Sequence, residues 1–106
     1  TEIEMYKPIV ETAGVPVLAN LTEFGQTPLY DLDELASVGI AMALYPLSAF
    51  RAMNKAALNV YQVLKEEGSQ ASVVDTMQTR MELYDFLGYH AYEEKLDQLF
   101  ADQANG

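Results

Sequence analysis

Apolar and polar positions change their period several times along the chain, and each change predicts an element. In "TEIEMYKPIVETA", residues 1–13, Ile3, Tyr6 and Val10 share one helical face, and Thr1 and Glu4 have the spacing of a capping box. Pro8 opposes an unbroken helix, because a mid-helix proline removes a hydrogen bond and kinks or divides the helix. Gly14 and Pro16 end the segment. "VPVLANL", residues 15–21, is short, apolar and partly β-branched, as a buried strand is, and "TEFGQTP" is its polar exit. Asp31 and Glu34 repeat the capping-box spacing before a short helix, "LDELASVG", with Gly39 in the place just past its end.

"IAMALYP", residues 40–46, repeats the buried-strand pattern and is closed by Pro46. From Ser48, read as the N-cap, the apolar positions Phe50, Met53, Ala57, Val60, Tyr61 and Leu64 recur every three or four residues up to Gly68, which predicts the longest helix. "SQASVVDTMQ" has room for a helical turn or two. Thr79 and Glu82 form a third capping-box spacing, Gly88 interrupts, and Tyr92, Leu96, Leu99 and Phe100 line a last amphipathic helix. "ADQANG" reads as a frayed tail.

The order is helix, strand, helix, strand, long helix and two more helices, which makes the class α/β. Two buried parallel strands joined by a helix form a βαβ unit and need cover on both faces. Two strands are a very narrow sheet for that architecture. The pattern therefore predicts either part of a larger sheet or barrel, or a piece that finds its cover through oligomerisation.

Composition narrows the chemistry. At 106 residues and half hydrophobic, the chain has the length and make-up of one small folded domain. Sixteen acidic residues against six basic ones give a net charge of −10, which argues against nucleic-acid binding, since that draws on clustered Lys and Arg. With no cysteine there is no disulfide framework, thiolate zinc site or cysteine nucleophile among these residues. The longest apolar run falls well short of the roughly twenty residues of a membrane helix, and the N-terminus lacks the pattern of a signal peptide.

Against this acidic background the two arginines stand out. Arg51, four residues into "SAFR", and Arg80, directly after Thr79, both fall in first helical turns, where a cation opposes the helix dipole at a cost of up to ~1 kcal/mol. An anionic ligand, carboxylate or phosphate, held between the guanidinium and the free N–H groups of the helix start would offset this. So would pairing with Glu23, Asp75 or another acid, and spacing alone leaves both readings open. Asn20 and Thr22 lie where a strand becomes a loop, the edge at which ligands gather in parallel α/β folds, and they point to the same side if the backbone is extended. Ordinary loop hydrogen bonding is the plainer reading of that pair. His90, the single histidine, has no defined partner and reads as a structural or surface residue.

"VPVLANLTEFGQTPL", "ALYPLSAFRAMNKAA" and "VDTMQTRMELYDFLGYHAYEEKLDQLF" together resemble the C-terminal part of the 2-methylisocitrate lyase family, within the isocitrate lyase and phosphoenolpyruvate mutase superfamily. The resemblance implies the C-terminal part of a (β/α)8 barrel plus C-terminal helices, divided into a barrel segment over 1–68 and a helical extension over 69–106 that packs between subunits. It implies a cytoplasmic, tetrameric carbon–carbon lyase of propionate catabolism and the methylcitrate cycle, cleaving a tricarboxylate, 2-methylisocitrate, to pyruvate and succinate with Mg2+. Carried over by position, the substrate contacts fall on Asn20, Leu21, Thr22, Arg51 and Arg80. The family's catalytic cysteine, its metal-binding aspartates and a substrate-binding glutamate lie upstream of Thr1, so no catalytic residue and no metal ligand is expected within these residues. A barrel takes about 250 residues, and the 106 residues alone are expected to be inactive. The alternatives are an isocitrate lyase or phosphonate-processing relative, and a non-catalytic oligomerisation module built on the last apolar stripe.

Overall fold

A computed structural model describes residues 2–106. The Thr1–Glu4 capping box lies outside the described residues. A 3-10 turn, Ile3–Met5, leads into helix α1, Tyr6–Ala13. Since α-helical geometry starts only at Tyr6, Pro8 falls in the first turn, where a missing N–H forfeits no intrahelical bond. The expected kink at Pro8 is therefore replaced by a helix start, and α1 ends on Gly14 in the left-handed conformation.

Strands β1, Leu18–Asn20, and β2, Met42–Leu44, pair in parallel with Leu18 opposite Met42 and Asn20 opposite Leu44. They are shorter than the apolar runs that predict them. Bonds from Ala41 N–H to the Val17 carbonyl (3.0 Å) and from Leu21 N–H to the Leu44 carbonyl (2.8 Å) extend the ladder at each end. Between them helix α2, Leu32–Ser37, starts in the expected capping box: Glu34 N–H donates to Asp31 Oδ1 and Asp31 N–H to Glu34 Oε2, each at 2.8 Å. It ends in a Schellman motif, with Gly39 N–H donating to the Ala36 carbonyl and Ile40 N–H to that of Leu35.

The core of this region joins Ala19 and Leu21 of the β1 segment to Leu35, Val38 and Ile40, with Tyr6 and Val10 of α1 packed against them. All of this lies on one face of the sheet. On the other, Leu18, Met42 and Leu44 remain 42–49% exposed, so cover on both faces, expected from the apolar runs, is not provided by the described residues. An uncovered apolar sheet face is what a section of a closed barrel presents when its remaining strands lie elsewhere.

Helix α3 spans Ser48–Glu67, a short 3-10 helix covers Ala71–Thr76, and α4, Arg80–Leu87, is separated from α5, Tyr89–Asn105, by Gly88 in the left-handed conformation. The tail expected to fray is helical to Asn105. Ala101, Gln103 and Ala104 are good helix formers, and no glycine or proline intervenes before Gly106. The chain divides into two compact units, Thr1–Asn59 and Val60–Gly106. The 68/69 boundary of the resemblance falls after Gly68, one residue beyond α3.

Candidate functional site

The first unit gathers its polar side chains where β1 and β2 end. Asn20 closes β1, and Thr22 donates its hydroxyl hydrogen to Asn20 Oδ1 at 2.8 Å, so the two converge as extended backbone requires. That bond occupies the amide oxygen and leaves the amide nitrogen as a donor. Leu21, between them, is buried in the core and gives its N–H to β2. Its carbonyl is what remains for a ligand.

Glu23 follows. Its Oε1 accepts a hydrogen bond from the Ser48 hydroxyl, and its Oε2 lies 3.5 Å from Arg51 Nε. Oε2 is buried and accepts no hydrogen bond, so Arg51 is the charge it faces. The Ser48 hydroxyl foremost, then the backbone N–H of Glu23, hold the carboxyl below its ordinary value against the opposing effect of desolvation, with Arg51 adding a smaller part. Phe24, at φ 64°, turns its exposed ring to the Arg51 guanidinium, whose Cζ is 5.4 Å from the ring centroid, within cation–π range.

The start of α3 differs from expectation. Its first intrahelical bond runs from Arg51 N–H to the Leu47 carbonyl, so Leu47 and not Ser48 is the flanking cap residue. Ser48 is instead the first helical residue, and its hydroxyl is spent on Glu23. The conflict between Arg51 and the helix dipole is thus met inside the chain by an acid, one of the two readings left open by spacing. The ligand reading survives beside it, because Glu23 engages the Nε edge and the Nη side of the guanidinium makes no hydrogen bond among the described residues. Arg51 also borders a groove of about 590 Å³ with Phe24, Asn54, Lys55 and Leu58.

Arg80 belongs to the second unit, as the first residue of α4 after the Thr79 cap. Thr79 N–H donates to Glu82 Oε2 at 2.6 Å and Glu82 N–H to Thr79 Oγ1 at 3.1 Å, which confirms the third capping box and draws the Glu82 carboxyl below its ordinary value. Arg80 itself makes no ion pair among the described residues, with Asp75 or any other acid. His90 Nδ1 sits 3.4 Å from Glu93 Oε2, both half-exposed, beside the stacked rings of Tyr84 and Tyr89. That placement fits the surface role expected of it. Among the described residues no three acidic or imidazole side chains converge, so they form no ligand set for a divalent metal.

The chain is 63% identical to the 2-methylisocitrate lyase of Escherichia coli (strain K12) over 101 residues, 95% of this chain and 34% of that protein. The chain belongs to the 2-methylisocitrate lyase family. The Salmonella typhimurium member is 58% identical over 103 residues, 97% of this chain and 35% of that protein. The chain thus spans about a third of the length of the curated relatives it matches. No family model matches it. Among solved structures, that of 2,3-dimethylmalate lyase, a PEP mutase/isocitrate lyase superfamily member, superimposes with a TM-score of 0.74 at 25% identity, covering 91% of this chain and 34% of the other. The exposed sheet face is explained by this membership: these are two neighbouring strands of a (β/α)8 barrel.

Of the positions singled out by sequence, Asn20, Leu21, Thr22 and Arg51 all belong to the first unit, Asn20 and Thr22 bonded to each other and Arg51 joined to the adjacent Glu23. Glu23 entered the sequence reading only as one possible partner of Arg51, and Ser48 only as a cap. Their signal was weak: an acid next to a strand end and a serine before a helix are both common in solvated loops.

Proposed function

We propose that this chain is the substrate-carboxylate-binding portion of a carbon–carbon lyase that cleaves 2-methylisocitrate to pyruvate and succinate, in propionate breakdown through the methylcitrate cycle. The observation that supports the reading is that Asn20 and Thr22, bonded to each other at the end of β1, are followed directly by Glu23, whose ion pair ties Arg51 to the same segment, in a chain so similar to 2-methylisocitrate lyases. In it the Nη groups of Arg51 take a substrate carboxylate in a charge-assisted pair, and Asn20 Nδ2, its amide oriented by the Thr22 hydroxyl, takes a further oxygen. Arg80, in the second unit, is proposed as a carboxylate-binding residue of the whole enzyme on its motif alone. Their task is orientation of the bond to be cleaved.

The Mg2+ of the proposal would polarise the developing enolate, with ligands supplied by residues outside these 106. A homo-oligomer, tetrameric for the whole enzyme, and a cytoplasmic site of action belong to the same proposal. The oligomer is supported by the α5 stripe Tyr92, Leu96, Leu99 and Phe100, each 47–70% exposed. No helix among the described residues is long and apolar enough to cross a membrane.

The test is turnover by the intact protein that carries this chain, presented with 2-methylisocitrate, isocitrate, 2,3-dimethylmalate and phosphonopyruvate. Release of pyruvate and succinate from 2-methylisocitrate at the highest kcat/KM of the four is the expected result. Preference for another of the four would reassign the substrate, and no turnover of any would remove the activity.

A further inference from the structure

The side chain that the proposed chemistry leaves unused is Glu23. A carboxylate next to a cation meant for substrate carboxylates has two possible consequences, competition for the cation or control of its orientation, and the geometry distinguishes them. Arginine presents a planar fork with one Nε and two Nη groups, and a carboxylate is gripped at two nitrogens at a time. Glu23 lies on the Nε edge, and its own position is fixed from the other side, because Oε1 is bound by the Ser48 hydroxyl on the first turn of the same helix that carries Arg51. The exposed ring of Phe24 lies over the guanidinium, 5.4 Å from its Cζ, as a further weak attraction on it. An acid so anchored leaves the end-on pair of Nη groups without a hydrogen bond among the described residues and draws the Nε edge of the guanidinium towards itself by charge.

We propose that Glu23 is a positioning residue for substrate binding: anchored by Ser48, it fixes the guanidinium of Arg51 by its Nε edge so that the two Nη groups face a substrate carboxylate. The inference rests on the proposed lyase reading and on the role of Arg51 in it. Its chemistry is that of a fixed ion pair whose net charge is nearly zero but whose outer face still donates two parallel hydrogen bonds. An arginine held in this way loses less rotamer freedom on binding than a free one, and the advantage appears in affinity.

The experiment measures kcat and KM for 2-methylisocitrate in the intact protein for wild type, Glu23→Gln, Ser48→Ala, Arg51→Ala and the double variant Glu23→Gln/Arg51→Ala. For Glu23→Gln, KM is expected to rise about tenfold with kcat within about twofold, since orientation of a bound carboxylate serves ground and transition state alike. Ser48→Ala, which loosens Glu23 while keeping its charge, should raise KM about threefold, and it carries the test if Glu23→Gln folds poorly. In the Arg51→Ala background, Glu23→Gln should add nothing, a non-additivity that a general stabilising role of Glu23 would not produce. A fall in KM for Glu23→Gln would show that the acid competes with substrate, and an equal effect with and without Arg51 would show that it acts elsewhere; either overturns the proposal. If Arg51→Ala has unaltered kinetics, the lyase-site reading fails first. If Arg51→Ala is impaired and Glu23→Gln and Ser48→Ala are both silent, the positioning role alone fails.

Discussion

Replacing Gly39 by alanine tests how α2 is joined to β2. Gly39 has φ +85°, and its N–H and that of Ile40 close the last turn of α2 in the Schellman motif. An L-residue in this region costs about 1–2 kcal/mol, partly offset by the ~0.4–1 kcal/mol that alanine gains through a less flexible unfolded chain. The site adds a packing cost, because a Cβ on residue 39 would stand 3.0 Å from Val10 Cγ1 of α1. Overpacking of this kind costs about 1–3 kcal/mol unless the neighbour yields. The two parts together set the expected loss for Gly39→Ala at about 2–3 kcal/mol. Urea denaturation followed by far-ultraviolet circular dichroism would measure it in wild type, Gly39→Ala, Val10→Ala and the double variant. In the Val10→Ala background the packing part disappears, and Gly39→Ala should cost only about 1 kcal/mol, the backbone part. Equal costs in the two backgrounds would refute the packing argument, and no cost in either would refute the backbone argument.

Two further outcomes follow from the same structure. Leu35, 2% exposed and the largest fully buried side chain, should lose about 2–5 kcal/mol of stability as Leu35→Ala in the same denaturation assay, and a loss below ~1 kcal/mol would mean that the cluster with Ala19, Leu21, Val38 and Ile40 is not the core. The Glu23 carboxyl is depressed in the folded state, so its contribution to stability is complete above its ordinary value of 4.5 and is lost as pH falls through and below that value. The melting-temperature gap between wild type and Glu23→Gln should accordingly be constant from pH 8 to about 6 and close as pH is lowered towards about 3. A gap that widened with acid would reverse the sign of the linkage.

Much of the architecture was legible because the signals were local. Asp31 with Glu34 and Thr79 with Glu82 mark helix starts through bonds three residues apart, and both boxes form as spaced. Gly39 and Gly88 mark stops because few other residues adopt their backbone angles without strain. Strand length was less legible, since an apolar run records burial while the ladder needs a partner backbone, and β1 and β2 have only each other among the described residues. The start of α3 was misread by one residue because a serine hydroxyl can cap its own helix or bond elsewhere, and Glu23, twenty-five positions away in the chain, decides the matter. Glu23 was visible only as one possible partner of Arg51, since spacing does not rank it above the other acids. Spacing exposed the conflict at Arg51 but could not choose between an acid within the chain and a ligand outside it.

The central claim is that Arg51 stands at the strand ends to hold a substrate carboxylate, and steady-state kinetics of the intact protein with Arg51→Ala tests it most directly. Loss of a charge-assisted bidentate contact costs about 3–4 kcal/mol, which corresponds to a fall of about 10²–10³ in kcat/KM for 2-methylisocitrate, with an unchanged circular dichroism spectrum. A kcat/KM within twofold of wild type would contradict the account.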